Sequence, residues 1–169
     1  MGSVHILNFN DGRGEWAFDD SRFRKDYKFY GPDKVYLEYY KKVQKMIKSK
    51  EFDLDIVGHF DLPKKFNDKP INDKLVSNES IKTLELVKKR DLVIEVNTSG
   101  LRKEIREQYP SELILQDIYN LDIPLLIGSD AHDPSEIAWE FKNVVKMLKK
   151  IGFNQLVHFK KRNKSFLEI

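Results

Sequence analysis

Ile123-Pro124-Leu125-Leu126-Ile127-Gly128-Ser129-Asp130-Ala131-His132-Asp133-Pro134-Ser135-Glu136 is the stretch from which the fold can be read. Its first five residues form a short apolar run of the kind that makes a buried strand. Gly128-Ser129 ends that run. Asp133-Pro134-Ser135-Glu136 then has the form of a helix start: an acceptor at the cap, proline at the first helical position, and a glutamate able to reach back. The predicted helix carries Ile137, Phe141, Val144, Val145 and Leu148 on one face and stops at Gly152. Asp130 and His132 fall in the turn between strand and helix. On an extended backbone, positions two apart face the same side, so the two side chains are expected to address one site, with the small Ala131 leaving room.

Working outward, the same strand-then-helix unit recurs. Ser3-Val4-His5-Ile6-Leu7 is predicted as a strand, followed by an irregular polar and aromatic stretch over residues 8–30. Tyr36, Tyr39, Tyr40, Val43, Met46 and Ile47 fall on one stripe of a 3.6-residue period and predict a helix. Asp55-Ile56-Val57-Gly58 reads as a short buried strand, residues 62–78 as a loop with two prolines, and Ile81, Leu84 and Val87 as a helix ending near Arg90. Leu92-Val93-Ile94-Glu95-Val96-Asn97 is β-branched and strand-forming. A helix near Pro110 buries Ile114, Ile118 and Leu121, and a last strand over residues 155–159 precedes a basic tail. Such alternation implies an α/β fold of about five mainly parallel strands with crossover helices. Residues 1–169 are expected to form a single domain, with no internal repeat and no linker.

Composition narrows the chemistry. The chain has 30 basic and 27 acidic residues, a net charge of +3, with the signs interleaved. No basic stripe of the kind a nucleic-acid groove needs is present, and no run is apolar enough to span a membrane. With no cysteine in the sequence, a thiolate metal site and a disulfide scaffold are excluded. A metal would be held by His, Asp and Glu, which suits Zn, Mn or Fe. The simplest localisation is cytoplasmic.

Three of the four histidines, His5, His59 and His132, fall where a predicted strand ends. In parallel β/α folds the active site gathers at that rim. A lone histidine beside a strand is more often a hydrogen-bonded structural residue than a ligand, and Ser129-Asp130-Ala131-His132 can equally be a capping turn. The coincidence of three histidines with Asp130 is what favours a metal site. His158, alternating with apolar residues, is expected to be structural. Asp61 is open between orienting His59 and making a turn, and Asp133 is assigned to the helix cap.

Gly2-Ser3-Val4-His5, Asp55-Ile56-Val57-Gly58-His59-Phe60-Asp61, the run from Glu95 to Lys103 and Gly128-Ser129-Asp130-Ala131-His132 occur in one order. Together they resemble the polymerase-and-histidinol-phosphatase (PHP) superfamily. Asn97-Thr98-Ser99-Gly100-Leu101-Arg102-Lys103 and Tyr109-Pro110-Ser111 resemble its histidinol-phosphatase branch. The resemblance runs from residue 2 to the final strand. It implies a distorted (β/α)7 barrel with two or three metal ions at the C-terminal rim, and a phosphomonoesterase that converts histidinol phosphate to histidinol in histidine biosynthesis. By motif match, His5, His59, Asp130 and His132 are expected metal ligands. Arg102 is the expected phosphate clamp, with Lys103 a weaker candidate beside a solvated-surface role. Trp16 and Asp19 are open between a substrate rim and simple packing. The family's His-x-His strand and its further upstream ligands have no counterpart here. The expectation is therefore a partial barrel lacking its first strands, with an incomplete divalent-metal cluster and impaired activity. Its partner would be a small phosphorylated metabolite, not nucleic acid or a membrane, and exposed barrel edges would favour self-association. A phosphoesterase with another substrate and a non-catalytic remnant of the fold are the alternatives.

Overall fold

The computed structural model describes residues 1–51 and 53–169. In chain order the elements are β1 (Ile6–Leu7), β2 (Trp16–Ala17), α1 (Arg24–Tyr30), α2 (Pro32–Lys48), β3 (Ile56–Val57) and α3 (Asp73–Lys89). They continue with β4 (Val93–Asn97), α4 (Glu112–Asn120), β5 (Leu125–Gly128), α5 (Phe141–Ile151), β6 (Gln155–Lys160) and β7 (Asn163–Glu168). Short 3-10 turns over Ser21–Phe23, Leu62–Phe66, Thr98–Arg102 and Pro134–Glu136 follow strand ends or precede helices.

The centre is a parallel sheet in the order β3-β4-β5, and Gly2 extends it by a parallel bridge to Val57. Every residue of β4 is buried, as expected of a strand covered on both faces. Ile94 and Val96 face one side, while Val93, Glu95 and Asn97, at spacings of two, share the other. α2 packs on α3 through the predicted tyrosine stripe: Tyr36, Tyr39, Tyr40, Val43 and Ile47 are all buried. Fully burying side chains of this size contributes about 1.5–3 kcal/mol each from area removed from water.

The structure corrects several expectations. Residues 3–7 do not run as one strand of the parallel sheet: the chain bridges to β3 only at Gly2, then Ile6–Leu7 turns to pair antiparallel with Trp16–Ala17. The proline-containing loop is shorter than predicted, because Asn72 caps α3 by accepting from the Leu75 amide at 3.1 Å. Asp133 caps a single 3-10 turn, and α5 begins only at Phe141, after Ala138 and Glu140 take left-handed backbone angles. Ile137 is exposed in consequence, not buried in a helix face. The basic tail is β7, paired in register with β6 as an antiparallel hairpin. Parallel pairing is thus confined to β3, β4, β5 and the Gly2 bridge, fewer strands than expected, and among the described residues the sheet is open. No helix among them is long and apolar enough to cross a membrane.

Candidate active site

A cavity of about 460 Å³ lies at the C-terminal ends of β3, β4 and β5. His5, His59, Asp130 and His132 all border it, together with Asp19 and Lys65. The four predicted ligands do not converge equally. His59 Nε2 stands 3.8 Å from Asp130 Oδ2. That is too long for a hydrogen bond, yet close to the separation of two ligands that share an ion with bonds of about 2.0–2.2 Å. The His5 ring meets the His59 ring edge to face at 5.1 Å. His132 borders the cavity but turns back on its own loop: its Nδ1 lies 2.9 Å from the Asp130 carbonyl, and the residue is exposed.

The extended-backbone expectation for Asp130 and His132 fails for a local reason. β5 ends at Gly128, and Asp130 has a φ of 48°, so the two side chains do not lie on one side of a strand. His59 is also left-handed, at φ 54°. A non-glycine residue there costs on the order of 1–3 kcal/mol and persists where surrounding bonds fix it. Here they do: the Tyr39 hydroxyl donates to the His59 carbonyl at 2.7 Å, and the His59 amide donates to Glu95 Oε2 at 3.2 Å.

Each of the two inner histidines has a carboxylate on its Nδ1 side. His5 Nδ1 is 3.3 Å from Asp19 Oδ2, and its Nε2 is 3.0 Å from the Ser3 hydroxyl. His59 Nδ1 is 3.0 Å from Glu95 Oε2. Burial pulls the His59 imidazole down, but the hydrogen bond and charge of Glu95, with Asp130 and Asp19 beyond, outweigh it and hold the ring above the usual histidine value. Burial pushes Asp19 up, yet its bonds to His5 and Lys65 leave it below the ordinary aspartate range.

Cations also line the cavity. Lys65 Nζ lies 3.2 Å from Asp19 Oδ2, and exposed Lys103 borders the cavity. Arg102, the predicted phosphate clamp, also lines it, but its Nη2 donates to the Ser129 carbonyl at 3.1 Å and to Glu136 Oε2 at 3.1 Å. Glu136 in turn accepts from the His132 amide at 2.9 Å. The guanidinium therefore ties the Thr98–Arg102 turn to the loop that carries Asp130 and His132.

The sequence reasoning passed over Glu95, Asn97, Lys65 and Glu136, and left Asp19 open. The signal for Glu95 and Asn97 was available: two polar residues at spacing two in a strand otherwise apolar on both faces. Asp61 does not touch the His59 ring; it is buried, bonded to Lys64 Nζ at 3.2 Å and accepting from the Ser111 amide at 3.3 Å. Trp16 is packed in the core, stacked on Tyr30, and Asp19 is the part of that segment that reaches the cavity. His158 is exposed on β6, away from the site.

The donors suit a divalent ion held by nitrogen and oxygen, with His59 Nε2 and Asp130 Oδ2 already facing each other. A third donor is not in place: among the described residues no three His, Asp or Glu side chains stand close enough together to hold an ion.

The chain is similar to proteins named as histidinol phosphatases. A "Probable histidinol-phosphatase" of Deinococcus radiodurans is 33% identical over 155 residues, which cover 90% of this chain and 54% of that protein. One of Clostridium acetobutylicum is 28% identical over 171 residues, 96% of this chain and 60% of that protein. Among solved structures, a chain from Listeria monocytogenes assigned as a histidinol phosphatase, HisK, superposes with a TM-score of 0.73 at 30% identity, over 83% of this chain and 56% of that one. The histidinol phosphate phosphatase of Lactococcus lactis, solved with Zn, L-histidinol and phosphate, shares the fold at a TM-score of 0.59 and 16% identity, over 86% of this chain and 68% of that one. No family model matches the chain. The chain spans about half the length of the first curated relative.

Proposed function

We propose that this chain belongs to a histidinol-phosphatase-type phosphomonoesterase acting on histidinol phosphate in the histidine pathway. The observation that carries the reading is the cavity where His5, His59 and Asp130 meet beside Lys65, Arg102 and Lys103 at the ends of parallel strands. The open β3-β4-β5 sheet is then one side of a PHP-type barrel. His59 Nε2 and Asp130 Oδ2 would hold a divalent ion, with His5 and His132 joining by side-chain rotation. A bound ion of this kind acidifies water and neutralises phosphoryl charge. The chain's own residues supply the rest: Asp19 and Glu95 orient the two imidazoles, and Lys65 and Lys103 offset the charge of a phosphate ester. Arg102 would reach the ester by exchanging Glu136 for a phosphate oxygen, its planar fork suiting both partners. With His5, His59, Asp130 and His132 as its ligands, the cavity would hold at most one ion tightly. Its open sheet edges favour self-association, and the soluble, cytoplasmic setting of a biosynthetic enzyme suits it.

Phosphate release from histidinol phosphate, set beside other phosphate esters, tests the reading with zinc or manganese added. Turnover that prefers histidinol phosphate and is lost in both His59→Ala and Asp130→Ala supports it. Preference for another ester selects the broader phosphoesterase class, and no turnover with no metal uptake selects a non-catalytic remnant. Two or more tightly held metals per chain in elemental analysis would refute the limit of one ion.

A further inference from the structure

We infer that Glu95 is a positioning residue that fixes His59 as the Nδ1–H tautomer, so that Nε2 is the nitrogen presented to Asp130 and to a divalent cation. The cation clause rests on the reading above; the tautomer does not. Three nitrogens converge on one oxygen, Glu95 Oε2: the His59 amide at 3.2 Å, the His59 Nδ1 at 3.0 Å and Asn97 Nδ2 at 3.2 Å. Asn97 Nδ2 also lies 3.0 Å from His59 Nδ1, which alone would leave the ring's proton undecided. The Ser99 amide donates to Asn97 Oδ1 at 2.8 Å, which turns the amide's NH2 group toward Glu95 and the ring. The Glu95 carboxylate can only accept, so its 3.0 Å contact with Nδ1 is a hydrogen bond when Nδ1 carries the proton, and this charged acceptor decides the tautomer. Nε2, on the far side of the ring, is left with its lone pair toward Asp130 Oδ2 at 3.8 Å.

The neighbouring strands are shaped around this carboxylate. A Cβ at Gly128 would stand 2.5 Å from Glu95 Oε1, and one at Gly58 would stand 3.2 Å from Oε2. Both positions flank Glu95, one on β5 and one just after β3, and any larger side chain at Gly128 would push the carboxylate off His59. Glu95 is only 4% exposed, so its charge has little water to soften it and its partners hold it firmly. Carboxylates behind ligating imidazoles typically change metal affinity 10–100-fold when removed.

The test is long-range proton–nitrogen NMR of the ring of His59 in full-length protein carrying nitrogen-15 histidine, at alkaline pH where the ring is neutral, with zinc titration on the same samples. The wild type is expected to show the Nδ1–H tautomer. Glu95→Leu should mix the tautomers and weaken zinc binding by about 10–100-fold, while Glu95→Gln, which keeps an acceptor, should restore the tautomer. Gly128→Ala provides a second route, displacing the carboxylate without altering it, should Glu95→Leu fail to fold. A wild-type ring protonated on Nε2, or a tautomer unmoved in both Glu95→Leu and Gly128→Ala, overturns the assignment. Wild type that binds no zinc but shows the expected tautomer overturns the metal reading alone.

Discussion

Gly100→Ala is expected to cost far more than an added methyl group ordinarily does. Gly100 sits in the Thr98–Arg102 turn that leaves β4 for the cavity. A Cβ there would lie 2.1 Å from the Glu107 carbonyl oxygen and 2.9 Å from the Tyr109 ring. Ordinary contact needs more than 3 Å, so one backbone segment must retreat by about 1 Å. The Glu107–Tyr109 segment cannot do so freely, because Tyr109 exchanges two backbone hydrogen bonds with Asn97, at 2.7 and 2.9 Å. Overpacking of this kind costs about 1–3 kcal/mol, and loss of the Asn97–Tyr109 pair would add about 1 kcal/mol per bond. The sum is roughly 3–5 kcal/mol. In urea, with a slope of about 1–3 kcal/mol per molar, the midpoint should fall by at least about 1 M at unchanged slope. Gly128→Ala, whose Cβ meets the movable end of Glu95 and no backbone, should lose less stability than Gly100→Ala while disturbing His59 more. A Gly100→Ala midpoint within 0.3 M of wild type would refute the argument that this turn is locked against the Glu107 backbone.

Three further outcomes are expected. Tyr39→Phe removes the donor to the His59 carbonyl and should lower stability by about 0.5–1.5 kcal/mol in denaturant titration, with a shift of the His59 ring resonances. Lys64→Met leaves the buried Asp61 carboxylate without its cation and should cost about 3–5 kcal/mol, much of it recovered in Asp61→Asn/Lys64→Met; equal losses in single and double variants would argue against the pair. Arg102→Ala unties Glu136 from the Thr98–Arg102 turn, so hydrogen exchange should speed up at the His132 amide while amides in β4 keep their protection.

The elements legible in the sequence were those in which one periodicity decides. The tyrosine stripe of α2 and the apolar run of β4 have no competing pattern, and both lie where expected. Legibility failed where local signals met tertiary demands. Asp133-Pro134-Ser135-Glu136 is a sound helix start by propensity, yet Glu136 is drawn inward to the His132 amide and Arg102, and the helix waits until Phe141. The same competition explains Asp130 and His132: a spacing of two means a shared face only while the backbone stays extended, and the left-handed Asp130 ends that condition.

The buried polar residues of β4 carry the larger lesson for the site. Motif matching marks the histidines and Asp130 because they recur in a named pattern, but it is silent on what holds them. Glu95 and Asn97 interrupt a strand that burial on both faces would otherwise make wholly apolar, and an unpaired carboxylate there would cost several kcal/mol. Such a residue is tolerable only if donors meet it, and here three do, two of them from His59. The charge buried in the central strand and the imidazole at the rim are therefore one unit: neither is at its lowest free energy without the other. The orientation of His59 is set from within the sheet, before any ligand enters the cavity.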